Sequence, residues 1–260
     1  MIMDKKTALI TGATGGLGTE FAKIHASKGG NLVLVARNED RLDKLREELQ
    51  DKYKIDVFTI IVDLSQIDAA ETIFNQVIKS EIQVDYLINN AGFGGRGEFH
   101  NRTMEQDMSM LSVNVITVTK LLKLFLPEFV KRGKGSILNV SSTASLMPGP
   151  LQAEYYATKA YVTSLGNAIW QEIQGTGVTL TTLMPGAMDT GFIKASDMGN
   201  TQLFAHPVSP IDVAKAGYEG MLSGKINVIS GLVGWQKVFM KLTPFVPKKL
   251  LLKSVYNMQK

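Results

Sequence analysis

The chain has 260 residues and no cysteine, which excludes disulfide bonds, thiolate metal sites and a cysteine nucleophile. Hydrophobic residues form 45% and charged residues 20% of the sequence, proportions that fit a globular protein and exclude a disordered chain. The formal net charge is +4, and residues 231–260 carry six lysines and no acidic residue, so the positive excess belongs to that segment.

The apolar segments are too short for targeting or for crossing a membrane. The apolar stretch after Lys6 ends at Gly12, which is shorter than a signal-peptide core. Lys120 and Lys123 interrupt the most apolar helical segment before it reaches the 18 residues of a membrane span. We therefore expect a cytoplasmic protein.

Short apolar runs alternate along the chain with longer amphipathic segments. Their β-branched and aliphatic residues predict strands at Thr7–Thr11, Asn31–Ala36, Val57–Val62, Val84–Asn89, Ser136–Val140, Val178–Leu183 and Ile226–Ser230. Because these runs are apolar throughout, we expect strands buried on both faces, as in a parallel sheet covered by helices. The pattern predicts a single α/β domain over residues 1–260, a doubly wound parallel sheet of the Rossmann type with about seven strands and helices on both faces. Helix starts are predicted at Ser65 with Asp68, at Thr103 with Gln106, and at Ser209 before Pro210.

A glycine-rich loop follows the first strand and opens the first helix. Gly12, Gly16 and Gly18 would let the backbone turn tightly and approach a pyrophosphate, while the amides at the helix N-terminus supply partial positive charge. This motif predicts nucleotide binding. By itself it leaves open a plain strand-to-helix turn or the similar loop of a methyltransferase.

The end of the second strand indicates which dinucleotide binds. A site selective for NAD usually has an acidic residue there, whereas this sequence has Ala36 followed by Arg37. An arginine can hold a 2′-phosphate through two hydrogen bonds, so NADP(H) is the predicted cofactor. The alternative is that Arg37 belongs to a solvated helix start, with Glu39 and Asp40 as ion-pair partners.

Tyr155 and Lys159 lie four residues apart in a helical pattern, so their side chains project from one face. At about 5 Å and an effective dielectric of about 20, the ammonium would favour the phenolate by about 3 kcal/mol. That would lower the pKa of the tyrosine from about 10 towards 8, near the range in which a general acid works best. Such a pair also occurs by chance on helix surfaces.

Polar motifs end three further strands, namely Asn89–Gly92, Asn139–Ser142 and Pro185–Gly186. The carboxyl ends of parallel strands share one edge of the sheet, so we expect these motifs to meet the glycine loop there. With them, the sequence resembles the short-chain dehydrogenase/reductase family, of the NADP-preferring type, over residues 7–190. Asn114 stands 28 residues before Ser142, which stands 13 before Tyr155, as in that family.

The resemblance implies a catalytic tetrad of Asn114, Ser142, Tyr155 and Lys159. In it, Tyr155 would donate the proton, Ser142 would hydrogen-bond the carbonyl oxygen, Lys159 would lower the tyrosine pKa and hold the nicotinamide ribose, and Asn114 would position a water. The cofactor-binding residues implied are Gly12, Thr14, Gly16, Leu17, Gly18, Arg37, Asp63, Leu64, Asn90, Ala91, Gly92, Tyr155, Lys159, Pro185, Gly186 and Thr190. The resemblance also implies a homodimer or homotetramer through the helices at 103–129 and 152–173.

Structural alternatives remain for single residues of this set. Asn114 could satisfy backbone groups at a helix kink, and Ser141 could be the bonded hydroxyl in place of Ser142, although the spacing favours the latter. Tyr156 is interpreted as a packing residue. As a whole, the chain could instead be a non-catalytic module that senses NADP(H).

The substrate is predicted to be an apolar carbonyl or alcohol, because apolar side chains follow the motifs and occur in the irregular loop 186–209, which is the predicted substrate lid. The predicted substrate-binding residues are Phe93, Leu146, Met147, Met188 and Phe192. No metal site is expected, since His25, His100 and His206 lack companion ligands, and no nucleic-acid partner is expected either.

The segment 231–260 is a basic and apolar C-terminal extension. Trp235, Val238, Phe239 and Leu242 recur at helical spacing with lysines between them. We favour a helix that packs on the body or on a partner subunit. The alternative is an amphipathic helix in peripheral contact with a membrane.

Overall fold

The computed structural model describes residues 5–188, 208–232, 243 and 246–260. Within them, seven strands form one parallel sheet in the order β3-β2-β1-β4-β5-β6-β7. The strands are β1 (Thr7–Thr11), β2 (Asn31–Ala36), β3 (Val57–Ile61), β4 (Val84–Asn89), β5 (Gly135–Val140), β6 (Val178–Pro185) and β7 (Asn227–Ser230). All seven predicted strands are present, with bounds that differ by at most two residues, and the Rossmann-type fold is confirmed.

Helices cover both faces of the sheet. They are α1 (Gly16–Ala26), α2 (Glu39–Tyr53), α3 (Ala69–Lys79), α4 (Met104–Leu111), α5 (Val118–Arg132), α6 (Ala153–Glu172), α7 (Pro210–Leu222) and α8 (Lys248–Gln259). Residues of α1, α2 and α7 pack with one face of the sheet in one buried cluster, which includes Phe21 and Tyr218. Residues of α3 and α5 pack with the other face in a second cluster, which includes Ile73 and Phe125. Continuous apolar strands are stable here because each face meets a helix layer.

The predicted helix starts have different outcomes. Thr103 and Gln106 form a full capping box at the start of α4. The predicted start at Ser65 is wrong, because α3 begins at Ala69 and the Ser65 hydroxyl instead donates a 2.9 Å hydrogen bond to Asp63. The Ser65 backbone amide donates to the same Asp63 oxygen at 3.0 Å, so both bonds hold Ser65 in a turn before the helix. At α7, Ser209 occupies the N-cap position and Pro210 the first turn, but the serine side chain makes no capping bond.

A π-helical turn, Ser112–Thr117, joins α4 to α5 without a break. The resulting helical stretch, 104–132, is long and apolar enough to span a membrane by length and composition alone, contrary to the expectation from its lysines. Of the most apolar 18 residues of this stretch, 44% are buried within the protein. Leu121, Phe125 and Phe129 pack against the sheet. A core helix can pass the same test of length and composition.

The order of the strands reverses between β1 and β4, since the chain runs outward from β1 in one direction and then from β4 in the other. Ligands of open α/β sheets bind in the crevice at such a point, outside the carboxyl ends of the strands. The loops after β1, β4, β5 and β6 all lie at this edge. The topology therefore places every predicted motif of the site at one location.

Candidate active site

The glycine loop forms an open backbone cradle at the start of α1. Gly12 has φ +64°, a conformation that favours glycine, and a Cβ there would lie 3.0 Å from the Ala91 Cα. A Cβ added at Gly18 would lie only 2.2 Å from the Gly12 carbonyl oxygen. Side chains at these positions would clash with the glycine loop itself and with the loop after β4, so the two glycines allow the tight turn that opens α1. The cradle therefore fits a dinucleotide.

Thr11 and Asn90 fasten the loop after β4 to the glycine loop. The Thr11 hydroxyl accepts hydrogen bonds of 3.0 Å from the backbone amides of Asn90 and Ala91. The Asn90 side chain donates to the carbonyl oxygens of Thr11 at 2.9 Å and Gly12 at 3.2 Å. The sequence analysis missed Thr11, whose signal was its position at the end of β1, directly before the first glycine.

The adenosine end of the predicted cofactor site contains two arginines. Hydrogen bonds from the Ser65 backbone, and to a lesser extent from its hydroxyl and the charge of Arg37, lower the pKa of Asp63. Arg41, which the sequence analysis also missed, donates a 2.8 Å hydrogen bond to the carbonyl oxygen of Thr14 in the glycine loop. Positive charge thus lies on both sides of the start of α2.

Leu64, the next predicted residue, is held through its backbone. Its carbonyl oxygen accepts a 2.9 Å hydrogen bond from the hydroxyl of Thr117, which belongs to the π-helical turn. Leu17 at the start of α1 is buried in the core beneath the glycine loop. Leu17 and Leu64 are thus buried in the clusters on opposite faces of the sheet.

Asn114 is buried in the same π-helical turn. Its side-chain oxygen accepts from the Phe93 amide at 3.1 Å, and its side-chain nitrogen donates to the Phe93 carbonyl at 2.9 Å and to Thr158 at 3.1 Å. Asn114 therefore satisfies backbone groups of the loop after β4, where the structural alternative expected groups at a helix kink. A Cβ at Gly92 would lie 3.0 Å from Lys159 Nζ and 3.1 Å from Asn114 Oδ1, so the missing side chain leaves these two groups facing one cleft.

The two serines at the end of β5 have different environments. The Ser141 hydroxyl donates to the Lys159 carbonyl oxygen at 2.9 Å and lies 2.7 Å from the Thr163 hydroxyl, so it faces α6. The Ser142 hydroxyl accepts from the Ala144 amide at 3.1 Å and is hydrogen-bonded to the Tyr155 hydroxyl. The geometry therefore pairs Tyr155 with Ser142.

Tyr155 and Lys159 project together from α6, and both are buried. Lys159 Nζ lies 5.9 Å from the centroid of the Tyr155 ring and donates a 3.0 Å hydrogen bond to the Val140 carbonyl oxygen. Burial raises the pKa of Tyr155 to about 12 and lowers the pKa of Lys159 to about 8. The predicted lowering of the tyrosine pKa is wrong for this structure, because the loss of solvation on burial is the largest effect on both groups. At neutral pH the phenol keeps its proton.

The predicted substrate residues divide between three places. Phe93 and Met147 pack against a buried cluster that contains Tyr155, Tyr156 and Met110. Leu146 and Met147 also line a cavity of about 610 Å³ with Ser145, Pro148, Gly149, Pro150, Ala153, Tyr156, Ala157, Ala160 and Leu252. Met188 pairs with Val208 and packs against the core formed with α1 and α7, which is a different cluster from the one that contains Tyr155.

The remaining predicted residues follow β6. Pro185 ends that strand, and the Gly186 amide donates a 2.8 Å hydrogen bond to the Ser230 carbonyl oxygen. Thr190, Phe192 and most of the predicted lid over 186–209 lie outside the described residues. Among the residues that the structure describes, no group of three or more histidine, aspartate or glutamate side chains could hold a metal ion.

Comparison with known proteins decides the family. The model of the short chain dehydrogenase family matches residues 6–200, a range that contains the glycine loop and all four predicted catalytic residues. The chain belongs to the short-chain dehydrogenase family. It is therefore a nucleotide-binding oxidoreductase of the Rossmann type.

Individual members of the short-chain dehydrogenase family are similar over much of this chain. The very-long-chain 3-oxoacyl-CoA reductase of Macaca fascicularis is 29% identical, over 97% of this chain and 79% of that protein. The very-long-chain 3-oxoacyl-CoA reductase-A of Danio rerio is 34% identical, over 73% of this chain and 60% of that protein. A solved short-chain dehydrogenase from Sphingobium yanoikuyae in complex with NADPH superposes with a TM-score of 0.82 at 27% identity, covering 92% of this chain and 94% of that chain. The elements α7, β7 and α8 follow the part of the chain that the family model matches.

Proposed function

We propose that this short-chain dehydrogenase is an NADP(H)-dependent oxidoreductase that interconverts a carbonyl and a hydroxyl on an apolar small molecule. The observation that carries the proposal is the hydrogen bond between the buried Tyr155 hydroxyl and the half-buried Ser142 hydroxyl, beside the buried Lys159 and next to the glycine cradle. A carbonyl oxygen placed at these two hydroxyls would accept a hydrogen bond from each. Such donors, aimed where negative charge develops, are what carbonyl reduction needs.

Tyr155 is the general acid in the direction of reduction. Because burial raises its pKa to about 12, the phenol is protonated at neutral pH and its Oη–H bond is available for transfer to the carbonyl oxygen. Ser142 accepts a hydrogen bond from the Ala144 amide, so its hydroxyl remains a donor that can turn from Tyr155 to the substrate oxygen when a substrate binds. In the direction of oxidation, Tyr155 acts as the base.

Lys159 and Asn114 support this proton transfer. The Lys159 ammonium lies over the Tyr155 ring and shares the cleft at Gly92 with the Asn114 oxygen, an arrangement suited to holding a ribose hydroxyl or a water. Gly12, Gly18 and Asn90 would hold the pyrophosphate and the adenosine ribose. The cofactor supplies or accepts the hydride when bound.

NADP(H) is the proposed cofactor because Arg37 follows Ala36, where an acidic residue would otherwise repel a phosphate. Arg41 adds positive charge beside the glycine loop, and the similar protein from Sphingobium yanoikuyae was solved with NADPH. Loss of a charge-assisted contact to the 2′-phosphate should cost about 1.5–3 kcal/mol, or about tenfold to a hundredfold in affinity. NADPH should therefore bind more tightly than NADH, and Ala36→Asp with Arg37→Ile should reverse that order in fluorescence titrations. Equal affinities in the unsubstituted chain would exclude this choice of cofactor.

An apolar carbonyl compound is the proposed substrate, in keeping with Phe93 and Met147 beside Tyr155. The 3-oxoacyl-CoA reductases among its relatives suggest a ketone on an acyl chain. Purified protein with NADPH should be assayed against aldehydes and ketones of graded chain length, with cofactor oxidation followed optically. Turnover that improves with chain length supports the proposal. Tight NADPH binding without turnover of any carbonyl would instead favour the NADP(H)-sensing module.

A homodimer or homotetramer is proposed through the segments 103–129 and 152–173. Apolar side chains are exposed on both, including Met104 with 77% of its surface accessible, Met108 with 47% and Tyr161 with 39%. Such a surface is typical of an interface. Sedimentation equilibrium of the unsubstituted chain and of Met104→Glu with Tyr161→Glu would test it, and an unsubstituted chain that sediments as a monomer would reject it.

A further inference from the structure

The end of α8 is bonded to three segments around the active site. Gln259 is buried, with 1% of its surface exposed. Its side-chain nitrogen donates to the Tyr156 hydroxyl at 2.9 Å, and its side-chain oxygen accepts from the Gln152 side chain at 2.9 Å. Its backbone carbonyl accepts a 2.9 Å hydrogen bond from the Arg96 guanidinium. One residue thus connects α8 to the loop after β4, to the segment before α6 and to α6 itself.

Arg96 also fixes the end of the helix. It donates a second hydrogen bond, of 3.0 Å, to the Lys260 carbonyl oxygen. A guanidinium is well placed there, because the last carbonyls of a helix lack partners within it and carry partial negative charge. The neighbouring Gly97 amide donates a 2.8 Å hydrogen bond to the Leu151 carbonyl, which joins the loop after β4 to the segment before α6. The end of α8 is therefore bonded to both the loop after β4 and the segment before α6.

Tyr156 lies between the end of α8 and the proposed proton donor, Tyr155. Its ring meets the Tyr155 ring edge to face, with centroids 6.1 Å apart and planes at 79°. A Cβ added at Gly149 would lie 2.3 Å from the Tyr156 ring, so the backbone of the segment after Ser142 presses directly on that ring. The ring is held on two sides by packing and at its hydroxyl by Gln259. Moving the hydroxyl would move the ring against Tyr155.

We propose that Gln259 is a positioning residue which, through Tyr156, fixes the orientation of Tyr155 towards Ser142. Tyr156 is then more than the packing residue that its sequence position suggested. The inference rests on the proposed function, since it assigns Tyr155 as the proton donor. Without the Gln259 amide, the buried hydroxyl of Tyr156 and the side chain of Gln152 each lose a hydrogen-bond partner. Because a buried polar group without a partner is unfavourable, these side chains would move to form other hydrogen bonds or would bind water.

Replacing Gln259 by leucine is the direct test, because it removes the amide at similar size. We expect kcat for carbonyl reduction to fall about tenfold in Gln259→Leu, while KM and the dissociation constant of NADPH change less than twofold. Water admitted beside Tyr155 would also shift the alkaline limb of the kcat profile to lower pH. Asn257→Leu, which also replaces an amide by leucine but at an exposed position of α8, is the matched control and should retain the native kcat and pH profile.

Tyr156→Phe removes only the hydroxyl that Gln259 holds, so it tests the inference even if Gln259→Leu does not fold. It should lower kcat by a similar factor, and Tyr156→Phe with Gln259→Leu should be no slower than the slower single variant. Native kcat and an unchanged pH profile in a folded Gln259→Leu or in Tyr156→Phe would overturn the inference.

Failure of the proposed function would look different, since the unsubstituted chain would then turn over no carbonyl. In that case, spectrophotometric titration of the phenols gives a readout without substrate. The titration midpoint of one buried tyrosine should fall in Tyr156→Phe, and this change should be missing when Tyr155→Phe is added. An unchanged midpoint of that buried tyrosine in Tyr156→Phe would reject the positioning of Tyr155.

Discussion

Mild acid should destabilise this protein through one buried histidine. His25 in α1 has no exposed surface, and its ring lies against Gly30, where a Cβ would approach Nε2 to 2.1 Å. Nε2 lies 2.8 Å from the Lys6 carbonyl oxygen and Nδ1 lies 2.6 Å from the Tyr218 hydroxyl. A carbonyl can only accept, so Nε2 carries the hydrogen and Nδ1 accepts from the tyrosine. Both nitrogens of the neutral ring are thus hydrogen-bonded. A proton added at Nδ1 would point at the Tyr218 hydroxyl, which already directs its own hydrogen to that nitrogen.

The size of the effect follows from the lowered pKa of His25. Burial lowers this pKa from 6.5 to about 4, although hydrogen bonds to the Lys6 and Asn31 backbones and the charge of Asp85 act in the opposite direction. Between these two pH values the unfolded chain binds a proton that the folded chain does not, so stability is full above pH 6.5 and falls as the pH falls towards 4. The total corresponds to about 3 kcal/mol of unfolding free energy, of which about 2 kcal/mol is lost between pH 7.5 and pH 5. That is a large part of the 5–15 kcal/mol typical of a folded domain.

Urea unfolding followed by circular dichroism between pH 5 and pH 7.5 measures this loss. His25→Gln should be less stable than the native chain at pH 7.5, yet its unfolding free energy should change little with pH over this range. His100→Gln, at a side chain that is 76% exposed, is the matched control and should keep the native pH dependence. If His25→Gln loses as much stability as the native chain between pH 7.5 and 5, the histidine is not the cause.

Three further changes test the site and the C-terminal extension. Tyr155→Phe should abolish turnover with almost unchanged NADPH affinity, because it removes the proton donor and little volume, and a variant that kept most of its kcat would show that the acid is misassigned. Gly18→Ala should raise the NADPH dissociation constant more than tenfold, since its Cβ would lie 2.2 Å from the Gly12 oxygen. Gly15→Ala, whose Cβ would approach that oxygen only to 3.3 Å, should have a smaller effect. Calorimetric titration would measure both affinities, and equal values would contradict the role of the glycine loop in binding the cofactor. Deleting residues 231–260 should lower the melting temperature, because part of α8 is buried. An unchanged melting temperature, together with salt-sensitive sedimentation of the intact chain with anionic vesicles, would instead favour the membrane contact. Each lysine near an anionic bilayer would contribute about 1 kcal/mol to the binding free energy.

The predictions of the site that depended on the position of motifs agree with the structure. Tyr155 and Lys159 share a helix face because of their spacing, and the motifs after β4 and β5 meet the glycine loop because parallel strands end at one edge. The Thr103 capping box is equally local. Arg41 and Thr11 were missed because their partners are the backbone carbonyl and amides of other loops, and no residue pattern marks such a partner.

What the sequence by itself determined was the order and type of the elements, since apolar runs and helical periodicity are properties of neighbouring residues. Only the tertiary structure decided the electrostatics and the long-range contacts. The pKa of Tyr155 rises instead of falling because the packing of distant segments removes water from both the phenol and Lys159. In the same way, Gln259 reaches Tyr156 across 103 residues of chain, a contact that local periodicity could not indicate. Desolvation and non-local contacts depend on where the whole chain folds, and that is why these features could be found only in the folded protein.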